Sequence, residues 1–415
     1  MNDHIAKNVT NKHNQASFYL CKYSLQYSAN VEDATVENVQ TEKTVLRGLF
    51  ASKCLFSVAK HLAKGCITNT SSYSTNNGNK VAPCHSNREI GRQCITVGEI
   101  LGKGNGGIVY KGEFTASFAP GTKKQVAIKT INNEASCCAI QCFVAEIKMM
   151  RMLDFHCNLV NMIGIHTQGV LEKGEALMIL EYCNEKDLLT LLSRNKKQIT
   201  KSLNTVSESD QLFHSRLLVT LAVQIARGME YLASKRIMHG DLAARNILLH
   251  YDKNCSKNII AKVADFGLSK HIVNKVYNKK NRNYVPWKWM AYEFLENNIF
   301  TMKSDVWSYG VLIWEMFSLG REPYEDIDDW KELKEELRRK NYLQCPKEIL
   351  TATTNGPSKE IYIEIARMCF VNEERDRSSF SDILRLLSLC LTNEELKQYE
   401  FSSMCQSVTI SPIEN

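Results

Sequence analysis

Several things are missing from this 415-residue chain, and each absence narrows the reading. No stretch of about 18 uninterrupted apolar residues occurs, so no membrane-spanning helix is expected. The two nearest imitators are broken by charge, 45–64 by Arg47, Lys53 and Lys60, and 306–319 by Glu315. No apolar run follows Asp3, His4 and Lys7, so a secretory leader is not expected, and the sequons at Asn8 and Asn69 are expected to be uninformative. No long Lys/Arg run accompanies the formal charge of +7, so a solvated basic surface is expected and nucleic acid is not an expected partner. Among 15 cysteines there is no C-x-x-C pair. The odd count, and Cys137, Cys138 and Cys142 within an apolar helical pattern, argue for reduced thiols and against a disulfide or zinc framework. No internal repeat is evident. What remains is an ordinary globular composition, 44% hydrophobic and 23% charged, long enough for a two-lobed unit with an extension.

The chain changes character near residue 88. Residues 1–87 are rich in Asn, Ser, Thr and Lys and read as a poorly ordered extension, with a linker at 68–80. Within it, 45–64 alternates apolar and basic residues, giving either a local helix or a basic amphipathic helix at a membrane surface. From Ile95, β-branched runs bounded by glycine (95–100, 107–114, 125–132) predict successive antiparallel strands. A helix bearing Phe143, Ile147 and Met150 follows, then two more strands, the last at 178–182. Beyond Asp187 the pattern is helical, with Leu218, Leu221, Ala222, Ile225, Met229 and Leu232 at helical spacing. Strands followed by helices predict an α+β fold: a small β-rich lobe over about 95–182 and a larger helical lobe over about 187–391. The polar stretch 193–210 is expected to be an insert loop between two helices, and 392–415 a tail.

Three motifs carry chemistry. Leu101-Gly102-Lys103-Gly104-Asn105-Gly106-Gly107-Ile108-Val109 is a glycine-rich turn in which backbone amides can approach phosphate. A dinucleotide-binding fingerprint would need a helix directly after it, whereas Val109-Tyr110-Lys111 begins a strand. Val126-Ala127-Ile128-Lys129 closes a strand with a point charge, and Glu146 lies 17 residues on. Finally, His239-Gly240-Asp241-Leu242-Ala243-Ala244-Arg245-Asn246 is followed, 24 residues after Asp241, by Asp265-Phe266-Gly267. That set offers one carboxylate for a hydroxyl proton and two oxygen ligands for a hard cation.

Together these motifs resemble the protein tyrosine kinases over about 88–391, and most closely the receptor-type, split-domain growth-factor receptors. The resemblance implies a two-lobed kinase fold, ATP and Mg²⁺, and transfer of the γ-phosphoryl group to tyrosine. It implies Asp241, Arg245, Lys129 and Glu146 as catalytic residues and Asn246 and Asp265 as metal ligands. The nucleotide would meet Leu101, Gly102, Gly104, Gly107, Val109, Ala127, Lys129, Leu180, Glu181, Cys183 and Leu248, with the backbone of Glu181 and Cys183 on the adenine. Arg245 stands four residues after the catalytic Asp, where Ser/Thr kinases carry Lys two after it, and Pro286-Trp287-Lys288-Trp289-Met290 resembles the segment that supports a phenol ring. Glu293 and Arg377 would form a structural ion pair, and Ser304–Gly310 resembles the buried helix anchoring the catalytic loop. Tyr277 and Tyr284 are candidate phosphorylation sites.

Four departures stand out. Gly240 replaces the usual Arg, Gly106 an aromatic residue, Tyr292 a proline, and Phe370 a tryptophan. In many relatives that Arg binds a phosphorylated activation loop, so Gly240 predicts weaker dependence on such phosphorylation. The expected partners are proteins presenting tyrosine, phosphotyrosine-binding adaptors, and a second copy for trans-autophosphorylation. The expected location is the cytoplasm, with contact to the inner face of the plasma membrane as an extension of the amphipathic reading. The alternatives are a signalling scaffold that has lost catalysis and a small-molecule phosphotransferase. The first is opposed by retention of Lys129, Asp241 and Asp265, the second by the peptide-positioning segment at 286–290.

Overall fold

The computed structural model describes residues 88–389, except 105–106, 116–121, 132–136, 168–174, 205–207, 252–258, 272–276, 279–284 and 348–356. The extension 1–87, its amphipathic stretch, the tail, Gly106 and Tyr284 lie outside the described residues.

The first lobe is a five-stranded antiparallel sheet, β1 (Ile95–Gly104), β2 (Gly107–Thr115), β3 (Lys123–Thr130), β4 (Met162–His166) and β5 (Leu177–Glu181), in the order β1-β2-β3-β5-β4. Helix α1 (Cys137–Arg151) crosses between β3 and β4. Alternation along β3 divides its two faces. Val126 and Ile128 are fully buried against Ile90, Ile95, Leu177 and Ile179, while Ala127 and Lys129 point the other way. The residues just before β1 extend this sheet: Glu89 bridges Ile165 in parallel, and Arg88 donates to the carbonyls of Leu153 and Met162.

The second lobe is mainly helical. Its elements are α2 (Leu188–Asn204), α3 (Glu208–Ser234), β6 (Ile237–Met238), β7 (Ile247–Tyr251), β8 (Ile259–Val263), β9 (Lys270–His271), β10 (Tyr277–Asn278), α4 (Tyr292–Asn297), β11 (Ile299–Phe300), α5 (Met302–Phe317), α6 (Trp330–Arg338), α7 (Pro357–Cys369) and α8 (Phe380–Ser388). The expected insert loop at 193–210 is corrected here: α2 runs to Asn204 and α3 starts at Glu208. The stretch is polar but contains no Gly or Pro, and Lys and Gln are good helix formers, so its polarity does not by itself mark a break.

Helix α5 is the axis of this lobe. Thr301 and Ser304 form a reciprocal capping box at its start, and every residue from Ser304 to Phe317 is buried. A helix apolar over most of its circumference must sit in the core. Several of its polar groups are used internally: Tyr309 donates to the Ala222 carbonyl at 2.9 Å, and Asp305 accepts the amides of His239 and Gly240 at 2.7 and 2.9 Å. Tyr292, where proline is usual, opens the short helix α4 without disturbing Glu293, and Phe370 packs edge-on to Trp307 at 5.3 Å.

Candidate active site

Four elements converge between the lobes. β3 presents Lys129 on its cleft side, and α1 brings Glu146 to it. Lys129 Nζ lies 2.7 and 2.8 Å from the two Glu146 oxygens and 3.3 Å from Asp265 Oδ1. Burial opposes the Lys129 charge, but Glu146 and Asp265 outweigh it and raise the pKa, so the ammonium is secured.

Asp265 has φ +63°, an uncommon left-handed conformation for a non-glycine residue. Its side chain accepts the Gly267 amide at 3.2 Å and stays half exposed toward the cleft. Burial alone would raise its pKa, but Lys129 and the Gly267 amide hold it below the ordinary carboxylate range.

The loop 239–246 is fixed from several sides. His239 accepts the Asp241 amide on Nδ1 at 3.2 Å, and Nε2 lies 3.1 Å from the Ala264 carbonyl, which fits the Nε2–H tautomer. Gly240 has φ +76°, where glycine is unstrained, and a Cβ there would come 3.3 Å from the Leu268 carbonyl oxygen. Arg245 Nη2 donates to Asp241 Oδ1 at 2.6 Å, and its guanidinium lies 4.5 Å from the Trp289 ring centre. Burial raises the Asp241 pKa, opposed by Arg245, His239 and Asn246. Asn246 Nδ2 donates to the Asp241 carbonyl at 2.7 Å, which commits the amide nitrogen inward and leaves the oxygen as its donor atom for a cation.

The nucleotide side is built from strand register. Val109 pairs with Lys129, and Ala127 with Leu180, so their side chains share one sheet face. Leu248 on β7 bridges to Asp187, just beyond the hinge, the segment 181–183 that leaves β5 for the second lobe. Gly107 has φ +123°, and a Cβ there would sit 2.1 Å from the Thr130 carbonyl, so the turn requires glycine. Around Gly102 and Gly104 a Cβ would meet nothing within 4 Å, and Leu101 is 41% exposed, leaving the roof of the cleft open.

At the hinge one expectation narrows. The Glu181 amide already donates to the Asn161 carbonyl at 2.9 Å, so only its carbonyl remains for an adenine. The Glu181 carboxylate binds Lys262 at 2.8 Å and accepts from Asn161 Nδ2 at 2.8 Å. Sequence reasoning missed this Asn161–Glu181–Lys262 network. A fully buried Lys262 in an otherwise apolar strand was its only signal. The Cys183 thiol is pushed up to about 12 by burial, which makes it a poor nucleophile.

The structure joins Lys129, Glu146 and Asp265 in one cluster and Asp241, Arg245 and Asn246 in another beside it. Glu293 and Arg377 lie apart, paired at 2.9 and 3.0 Å. Tyr277 is in β10, whose backbone pairs with β11 through Phe300. Among the described residues no three His, Cys, Asp or Glu side chains converge as a closed metal site. Two oxygen donors at the mouth of a cleft suit a hard cation whose coordination is completed by phosphate and water.

The sequence model of the family described as protein tyrosine and serine/threonine kinase matches residues 95–387. The chain is 38% identical over 268 residues to fibroblast growth factor receptor 1 of Xenopus laevis, covering 63% of this chain and 32% of that protein. It is 32% identical over 361 residues to tyrosine kinase receptor Cad96Ca of Drosophila melanogaster, covering 85% and 44%. Fibroblast growth factor receptor homolog 2 of Drosophila melanogaster is 34% identical over 318 residues, covering 73% and 28%. The chain thus spans less than half the length of these relatives. Among the described residues no helix is long and apolar enough to cross a membrane. A two-lobed fold, a Lys–Glu–Asp cluster facing an Asp–Arg–Asn loop, and a family match across both lobes lead to one conclusion: this chain belongs to the protein tyrosine and serine/threonine kinase family, and the relatives it matches are receptor tyrosine kinases.

Proposed function

We propose that the chain transfers the γ-phosphoryl group of ATP to tyrosine hydroxyls of proteins, its own Tyr277 and Tyr284 included. The observation that carries this reading is the contact of Lys129 with both Glu146 and Asp265, 17 and 136 residues away in sequence. Such an arrangement positions phosphates and neutralises their charge, which is most of what phosphoryl transfer requires. Lys129 would bind phosphate oxygens. Asn246 and Asp265 would hold Mg²⁺, which when bound supplies further neutralisation of the phosphates. Leu101, Val109, Ala127, Leu180 and Leu248 would enclose the base, with the Glu181 carbonyl and the Cys183 amide as its polar contacts.

The arrangement around Asp241 supports tyrosine as the acceptor. Arg245 occupies Asp241 Oδ1, so Oδ2 is the oxygen that would orient the hydroxyl and take its proton. Arg245 is backed by Trp289, within the segment 286–290, and the phenol would lie along that platform. A cation four residues after Asp241 leaves room there for a longer acceptor side chain. The retained Lys129, Asp241 and Asp265 count against a role limited to scaffolding. The reading also implies a second copy of the chain as substrate for Tyr277, and adaptors that bind the product.

The test is phosphate incorporation into a poly-Glu-Tyr polymer by purified full chain with Mg²⁺-ATP. Incorporation that disappears in Asp241→Asn supports the enzyme; none from wild type under any activating condition supports a scaffold.

A further inference from the structure

Glu315, near the end of α5, has no part in the chemistry described above, yet it is only 2% exposed and touches two separate parts of the site. Its Oε2 accepts the backbone N–H of Ala244 at 3.0 Å, inside the turn between Asp241 and Asn246. The same oxygen accepts the indole Nε1–H of Trp289 at 2.9 Å. Trp289 in turn backs the Arg245 guanidinium at 4.5 Å, and Arg245 grips Asp241 at 2.6 Å. The Trp289 carbonyl is held from the same helix by Ser308 Oγ at 2.9 Å. One carboxylate oxygen therefore fixes the backbone of the catalytic loop and the ring that supports its cation.

Burying a carboxylate in a helix whose residues from Ser304 to Phe317 are all buried is costly, and its two N–H partners are neutral. An apolar residue would pack there but would leave both N–H groups without their acceptor. Asp305, near the start of α5, already holds the loop at His239 and Gly240. The loop is thus anchored at both ends, and only the Glu315 anchor also reaches the acceptor platform.

We infer that Glu315 is a positioning residue for phosphoryl transfer, registering the loop that carries Asp241 and Asn246 against the platform that receives the tyrosine ring. The inference rests on the kinase reading above. It predicts loss of turnover with nucleotide affinity preserved, because Lys129, Glu146 and Asp265 lie outside the network. A displacement of about 1 Å in a reacting geometry costs on the order of 100-fold in rate.

The experiment is steady-state kinetics of the full chain on poly-Glu-Tyr with Mg²⁺-ATP, alongside a thermal melt. Glu315→Leu removes the acceptor for both N–H groups and should lower kcat by about 30-fold or more, with KM for ATP unchanged within about twofold. Glu315→Gln keeps an oxygen for both donors and should retain at least about a third of the wild-type kcat. Trp289→Phe keeps a ring against Arg245 but drops one N–H, and should fall between the two. A folded Glu315→Leu protein within about threefold of wild-type kcat, or a Gln variant as impaired as the Leu variant, overturns the inference. If Glu315→Leu fails to fold, Trp289→Phe decides: a drop of several-fold in kcat alone supports the inference, and an unchanged kcat, or a loss carried by KM for ATP, overturns it. An inactive wild type removes the kinase reading and this inference with it, whereas an active wild type with indifferent variants removes only this inference.

Discussion

Lys129–Glu146 and Glu293–Arg377 are both buried ion pairs, with side-chain exposures of 9% and 3% in the first and 11% and 0% in the second. Their surroundings differ. Arg377 directs its donors inward: to both Glu293 oxygens, to the Val371 carbonyl at 2.7 and 3.0 Å, and to the Lys303 carbonyl at 2.6 Å. Its guanidinium also lies 5.2 Å from the Trp307 ring centre. Lys129 instead reaches past Glu146 to Asp265, whose carboxylate is half exposed at the cleft. A saturated pair holds helices together, whereas a pair open toward a cleft presents charge to something that enters. Burial alone therefore does not separate structural from functional charges; the direction of the remaining donors does.

The comparison can be broken at either pair. The largest expected effect belongs to Asp241→Asn, which should lower kcat by on the order of 1,000-fold while the melting temperature barely moves. Next, Lys129→Met should cost on the order of 100-fold in activity. Removing one partner of a buried pair leaves Glu146 without its cation, but burial already raises the pKa of that carboxyl, and its protonation should keep the stability loss below the roughly 3–5 kcal/mol such a break can cost. Arg377→Lys should do the opposite. It loses the fork geometry and about 2–4 kcal/mol of stability by chemical denaturation, with near-normal turnover per folded molecule at low temperature. An Arg377→Lys enzyme that stays stable but loses turnover would dissolve the distinction.

A smaller effect concerns regulation. Gly240→Arg would strain the backbone at φ +76° by about 1–3 kcal/mol, with its Cβ 3.3 Å from the Leu268 carbonyl oxygen, and it restores the cation usual before the catalytic Asp. Wild type should lose less than about tenfold in rate on Tyr277→Phe, and the Gly240→Arg protein should lose more. A hundredfold fall in wild type would sink the idea that Gly240 loosens this link.

The smallest effect is a pH dependence of stability. Burial pushes the Glu315 carboxyl up from 4.5 to about 7, with Trp289, Ala244 and Arg245 opposing. A raised folded-state value means that its contribution is present below 4.5 and is lost as pH rises through about 7. The melting temperature of Glu315→Gln relative to wild type should therefore climb between those values and level off above them.

Much of this was legible in the sequence because the chemistry is compressed into short motifs. Asp241, Arg245 and Asn246 are neighbours, and Lys129 with Glu146 needs only one strand and one helix. The α+β order of the lobes followed from the change in periodicity near Asp187. The insert at 193–210 was misread because a polar composition is common to helices and loops, and propensity without Gly or Pro was the better guide. Asn161, Lys262 and Glu315 were not legible as partners. Their contacts span 20, 81 and 26 or 71 residues and depend on how helices and strands pack. Glu315 entered the sequence reading only as a charge interrupting an apolar run, although an acid in the middle of a buried helix is itself a sign that something polar waits for it. The strand-like pairing of Arg88–Ile90 was missed because three residues carry no period.

The claim that these motifs form a working tyrosine kinase is tested most directly by phosphoamino-acid analysis of the full chain after incubation with Mg²⁺-ATP and a substrate mixture offering tyrosine, serine and threonine. Phosphate is expected on tyrosine alone, dependent on Asp241. Phosphate on serine or threonine, or equal labelling by Asp241→Asn, would contradict it.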